Sequence, residues 1–165
     1  MNENHRQEKE EKWTKIWRGN WWPKIAAFCW LVIKRRILTW DNIQKRGLAG
    51  PSRCSLCKKS NETINHLLDE CSIASNIWDK GSRLFKNNSR KEGRPNITIA
   101  EWPKKRFKNK ILNRIWELYP RFMVWEIWKT SNQFFLENMK CKTKELWEIM
   151  GAHIKETIKL RPWWA

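Results

Sequence analysis

One spacing constrains this chain more than any other feature. Cys54-Ser55-Leu56-Cys57 is followed after eight residues by His66 and after four more by Cys71, a C-x2-C-x8-H-x4-C pattern. A two-residue gap lets two thiolates converge on one ion from a tight turn, and tetrahedral zinc takes four such N/S donors. The second pair fits a helix. Glu62-Thr63 reads as a helix start with Thr63 as N-cap, which puts His66 in the first turn and Cys71 at or just past the last one. Leu67 and Leu68, between them, are expected to pack against the rest of the domain.

Disulfides account for these cysteines less well. The chain has 5 Cys, an odd number, and its first twelve residues carry Glu3, Glu8, Glu10 and Glu11 with no apolar stretch. That composition argues against a secretory signal and against an acid-poor transit peptide, so a nuclear or cytoplasmic location is expected. Cys29 lies in the apolar run Ile25–Ile33 and reads as a core thiol, while Cys141 stands alone. That run spans nine residues, about half of the ~18 a membrane span requires. Catalysis has no visible apparatus. A zinc deaminase needs H-x-E ahead of C-x-x-C, whereas here C-x-x-C comes first and His66 is followed by two leucines. No phosphate-loop, nucleophile-elbow or H-E-x-x-H motif occurs either, so the chain is expected not to be an enzyme.

Charge points to a partner. Net charge is +17, and residues 81–114 alone hold eleven Lys and Arg against two acids, in a stretch broken by Gly81, Asn87, Asn88, Gly93, Pro95 and Pro103. Lys and Arg in a loop-like segment can neutralise phosphates and release counterions, although a merely solvated linker has the same composition. The cations expected to contact nucleic acid, RNA or DNA, are Lys86, Arg90, Lys91, Arg94, Lys104, Lys105, Arg106, Lys108 and Lys110, with Arg53, Lys58 and Lys59 beside the metal turn. Pro103-Lys104-Lys105-Arg106 also reads as a nuclear localisation signal, or as one polar helix face.

Apolar spacing predicts helices throughout and no sheet, hence an all-α protein with a zinc turn. The expected organisation is a polar tail over 1–12, a zinc-binding helical module over 13–86, a basic linker over 87–100 and a C-terminal helical module over 101–165. Pro23 opens a buried helix running to Arg35. Thr39 is expected to cap a short helix that Gly47 ends. Ile73, Ile77, Trp78, Leu84 and Phe85 mark a helix closing the first module. Ile111, Leu112, Ile115, Trp116 and Tyr119 repeat at helical spacing until Pro120, which is expected to kink the chain or split it into two helices. Phe122, Val124, Trp125, Trp128, Phe135 and Met139 continue that apolar face. Leu146, Ile149, Met150, His153, Ile154 and Ile158 mark a last amphipathic helix, with His153 a packed core histidine and not a ligand. Most of the 14 Trp recur at core spacing. Trp21, Trp22, Trp40, Trp102, Trp163 and Trp164 lie at element boundaries and are the candidates for exposed base-stacking platforms.

The order of features resembles the reverse transcriptase zinc-binding domain at the C-terminal end of plant LINE-type retrotransposon polyproteins. Trp17, Trp22-Pro23-Lys24, Phe28-x-Trp30, Ile37-Leu38-Thr39-x-Asp41-Asn42, Lys45-Arg46-Gly47, the two Cys, Glu62-Thr63-x2-His66-Leu67-Leu68-x2-Cys71 and Trp78 carry the resemblance over about residues 13–80. Trp125-x-Ile127-Trp128-Lys129 with Asn132 and Phe135 is similar to the segment that comes after that module in those polyproteins, except that their Arg before the Asn is Ser131 here. The resemblance implies a zinc-stabilised helical module, with Cys54, Cys57, His66 and Cys71 as ligands, that contacts the element's RNA or target DNA. The resulting expectation is a non-enzymatic zinc module binding nucleic acid, RNA or single strands before duplex DNA, mainly through phosphates. The rival is a protein-interaction subunit whose Trp-rich surface docks onto a larger complex, a nucleoprotein one included.

Overall fold

A computed structural model describes residues 22–50, 52–86, 99, 107–137 and 143–160. Its described residues form helices α1 (Pro23–Ile33), α2 (Trp40–Gln44), α3 (Ser72–Leu84), α4 (Lys110–Glu137) and α5 (Thr143–Leu160), with one π-helical turn at His66–Glu70. The fold is all-α, and among these residues the only extended pairing is a single bridge between Arg53 and Asn61.

Pro23 opens α1 at the position where its missing N–H costs nothing, and Ile25, Ala26, Phe28, Cys29 and Val32 are buried. The short α2 starts after Thr39, but Thr39 makes no side-chain cap bond. Its buried hydroxyl bonds instead to the Asp41 carboxylate, so the expected cap is not made. Gly47, at φ 84°, ends the helix as expected, with its N–H on Gln44 O and that of Leu48 on Ile43 O. Helix α3 buries Ala74, Ile77, Trp78 and Gly81, whereas Leu84 is exposed.

Pro120 does not split the chain, because α4 runs through it. A proline inside a helix removes one ladder bond and costs roughly 3 kcal/mol. Trp116, Leu118, Tyr119, Phe122, Met123 and Val124 around it are all buried, which offsets that loss. The Arg121 guanidinium also donates to the Glu117 carbonyl in the same turn. Ile111 and Leu112 face solvent, so the first turn of α4 does not extend the apolar stripe. Helix α5 buries Leu146, Met150 and Ile154 but exposes Ile149. His153 is half-buried with Nδ1 2.6 Å from Oε1 of the buried Glu126.

Helix α4 is the spine, lying along α5 and α1 and touching α3 and the π turn. One continuous core therefore contains Phe28 and Val32 of α1, Leu67 and Leu68 of the π turn, Trp78 of α3, Phe122 and Ile127 of α4, and Met150 of α5. Edge-on aromatic contacts tie it together: Phe28 with Trp125, Trp78 with Tyr119, and Phe85 with Trp116.

Candidate metal centre

The chain reverses between Cys54 and Asn61, with Cys54 N–H on Ser60 O at 2.8 Å and Lys58 N–H on Cys54 O at 2.9 Å. This knuckle carries the first two sulfurs. The second pair comes from the helix start: Thr63 Oγ1 accepts the His66 N–H at 3.0 Å, the capping bond expected of Thr63.

From His66 to Glu70 the backbone is not α-helical. In an α-helix a residue five positions on lies about 140° round the axis, so Cys71 would point away from His66. Instead the Cys71 N–H bonds to His66 O at 2.7 Å, closing a wider i to i+5 turn that brings the thiol back towards the imidazole. The Trp78 indole, reaching back from α3, donates to Leu68 O at 2.8 Å and holds the turn. Leu67 and Leu68 are fully buried beneath it. Nothing in H-x4-C by itself distinguishes this turn from an α-helical one.

One donor atom from each of Cys54, Cys57, His66 and Cys71 lies within 4.8 Å of the others. Cys54 Sγ is 4.0 Å from Cys71 Sγ, and Cys57 Sγ is 3.3 Å from His66 Nε2. Tetrahedral zinc with bonds of about 2.3 Å to sulfur and 2.0–2.1 Å to nitrogen sets donor separations of about 3.6–3.8 Å. The observed separations bracket that range, so the cluster could hold a metal. Its electrostatics divide the Cys54–Cys71 pair and favour the anion at Cys71. A hydrogen bond from Cys54 holds the Cys71 thiol below the ordinary thiol range, and backbone N–H groups of Ile73 and Ala74 at the start of α3 act the same way. The same pairing, with burial, pushes Cys54 up. Cys29 is apart from this cluster, and burial pushes its thiol up to about 12.

A buried polar knot ties the knuckle to α4. Glu62 Oε2 accepts from Ser55 N–H at 3.2 Å and from Ser131 Oγ at 3.2 Å, and the two serine hydroxyls lie 2.7 Å apart. Ser131, the departure from the resembled pattern, thus anchors the glutamate that precedes the Thr63 cap. The sequence singled out its position but not this role, because Ser55 and Ser131 are remote in the chain.

Of the cations flagged by sequence, Arg53, Lys58, Lys59, Lys86, Lys108 and Lys110 are exposed. Arg90, Lys91, Arg94, Lys104, Lys105 and Arg106 lie outside the described residues, as do Trp21, Trp102, Trp163 and Trp164. Trp40 is not a stacking platform, since it is buried and its ring lies against the backbone of Gly50. Trp22 is half-buried, with Lys24 Nζ 4.7 Å from its ring centre.

Comparison with known proteins agrees with the sequence resemblance. Residues 2–78 match the family described as zinc-binding in reverse transcriptase. A relative from Arabidopsis thaliana named "Putative ribonuclease H protein" is 23% identical over 132 residues, covering 78% of this chain. The chain spans only about a fifth, 21%, of that relative's length. No solved structure matches.

Proposed function

From a chain whose residues 2–78 carry a reverse-transcriptase zinc-binding domain, we propose a non-enzymatic zinc module that binds nucleic acid through phosphate contacts. The carrying observation is the convergence of three sulfurs and one imidazole nitrogen within 4.8 Å, in a chain of net charge +17. Three thiolates and one imidazole around a compact centre suit zinc, which takes four N/S donors in a closed structural site. Cys54, Cys57, His66 and Cys71 hold the ion, and the cations around the knuckle meet the polyanion.

A preference for single strands has less support than the phosphate contacts. Among the described residues the exposed large apolar side chains are all aliphatic, and the aromatic ones whose burial is described are buried or half-buried, so none of these is a fully exposed platform for base stacking.

Two measurements test the reading. Elemental analysis of the purified chain is expected to find one zinc per molecule, with Cys57→Ser losing it. Affinity for nucleic acid is expected to fall by about 0.7–0.9 log unit per log unit of salt for each phosphate neutralised, and charge reversal at Lys104, Lys105 and Arg106 to flatten that slope. A metal-free folded chain, or binding indifferent to salt, overturns it.

A further inference from the structure

Every non-glycine residue at positive φ among the described residues is a cation: Arg35 (55°), Lys58 (58°) and Lys86 (48°). Left-handed backbone disfavours any L side chain and favours glycine. Arg35 ends α1 in the motif where glycine is usual, with its own N–H on Val32 O at 2.9 Å and that of Arg36 on Leu31 O at 2.8 Å. Helix α2 closes in the same way, and there the position belongs to Gly47. The chain thus keeps a long cationic side chain at positions where glycine would hold the backbone more easily.

Two of these cations belong to one corner. Residues 34–59 hold eight Lys and Arg against a single acid, Asp41. Asn42 Nδ2 donates to Arg35 O at 3.0 Å and Ile37 O at 2.8 Å, fixing the α1–α2 loop against α2. Lys45 Nζ sits 3.5 Å from Asp41 Oδ2, and the Asp41 N–H bonds to Glu62 O at 3.3 Å, joining α2 to the metal loop. Arg35 Nη1 donates to Asn65 Oδ1 at 3.0 Å. Asn65 precedes His66, whose imidazole abuts Cys57, the neighbour of Lys58. Bonds that the sequence does not reveal therefore tie Arg35 and the α2 segment carrying Lys45 to the metal loop that carries Lys58, with Arg36 and Arg46 their neighbours in the chain, and all five are exposed.

We infer that this corner is a phosphate-gripping surface for the nucleic-acid backbone, an inference that rests on the function proposed above and locates its contact face. The exposed apolar neighbours, Leu38 and Leu48, are aliphatic and offer no stacking plane. The corner therefore takes duplex and single strand alike and reads no base.

The test uses the full, zinc-loaded chain with a labelled DNA duplex and one of its strands. Arg35→Gly with Lys58→Gly is expected to leave the melting temperature unchanged or raised, because glycine suits both backbones. The salt slope is expected to flatten by about 0.9 per lost contact on duplex and about 0.7 on single strand. Arg36→Ala with Arg46→Ala, at positions without positive φ, is expected to flatten it as well. An unchanged slope in both variants of a chain that still binds overturns the corner and leaves the proposed nucleic-acid binding standing. A lowered melting temperature with the slope intact assigns the cations to helix-end stabilisation, and also overturns it. Loss of binding to polyglutamate alone identifies an acidic protein as the partner and likewise overturns the corner. A parent chain that binds neither probe at low salt removes nucleic-acid binding itself.

Discussion

Cys29 and Cys71 show how far surroundings divide two residues of one type. The Cys71 sulfur receives a hydrogen bond from Cys54 and faces backbone N–H groups of α3, so it is prepared to carry charge. Cys29 is fully enclosed on α1 by apolar groups, and burial lifts its thiol from 9.0 to about 12. Arg121 pulls weakly the other way. Linkage turns this shift into a dependence of stability on pH. The folded-state value lies above the unfolded one, so the protonated thiol's contribution is complete below about pH 9 and is lost as pH rises towards 12. Each unit is worth about 1.4 kcal/mol, so the loss over that window is of order 4 kcal/mol. Cys29→Ala is expected to lower stability at neutral pH through lost packing, yet to show a shallower decline of the urea midpoint between pH 8 and roughly 10.5. Parallel declines for parent and variant would mean that the Cys29 thiol ionises as readily when folded as when unfolded.

At the scale of elements, the sequence and the structure part company for identifiable reasons. Pro23, Thr63 and Gly47 act through their own backbone and their nearest neighbours, and each was legible at its expected helix end. The ligand spacing was legible too, because a C-x-x-C turn is local. What could not be read depended on tertiary packing, as in the π turn held by Trp78 and the survival of α4 across Pro120, or on a choice between two local partners, as where the Thr39 hydroxyl bonds to Asp41 and not to the helix start. Gly81 is another such case. In a helix, Gly→Ala ordinarily gains about 1 kcal/mol. Here an added Cβ would fall 1.9 Å from the Tyr119 hydroxyl and 2.2 Å from Cζ. That ring cannot move aside freely, since its hydroxyl donates to Ile77 O at 3.1 Å and it packs edge-on against Trp78. Gly81→Ala is therefore expected to destabilise by about 1–3 kcal/mol, the overpacking cost exceeding the propensity gain. Tyr119→Leu in the same background should recover part of it, as a double-mutant cycle in chemical denaturation would measure. A stabilised single mutant would show that α3 and α4 can slide apart at no cost.

For the molecule as a whole, the question is how far loss of the metal would spread. Spacing alone suggests that chelation unfolds about residues 13–86. The shared core argues for a wider effect. Glu62, which accepts from Ser55 in the knuckle, also accepts from Ser131 on α4, and the Trp128 indole donates across to Leu38 O at 2.9 Å. Phe28 of α1 packs on both Trp125 and Trp128, with ring centres 5.2 and 4.8 Å apart. Unfolding the knuckle would leave the buried carboxylate without its Ser55 donors and expose the α1-facing side of α4, each a cost that the remaining helices must bear. Chelation is therefore expected to abolish amide-exchange protection in α1, the π turn and α3, and also to reduce it in α4 from about Phe122 to Ser131. The α4–α5 contact between Tyr119 and Trp147, ring centres 6.3 Å apart, lies outside that segment and is expected to retain more. Hydrogen exchange read by mass spectrometry, with and without a zinc chelator, resolves these segments. Full protection of Phe122 to Ser131 after metal removal would show that the knuckle and the spine fold independently, despite the side chains they share.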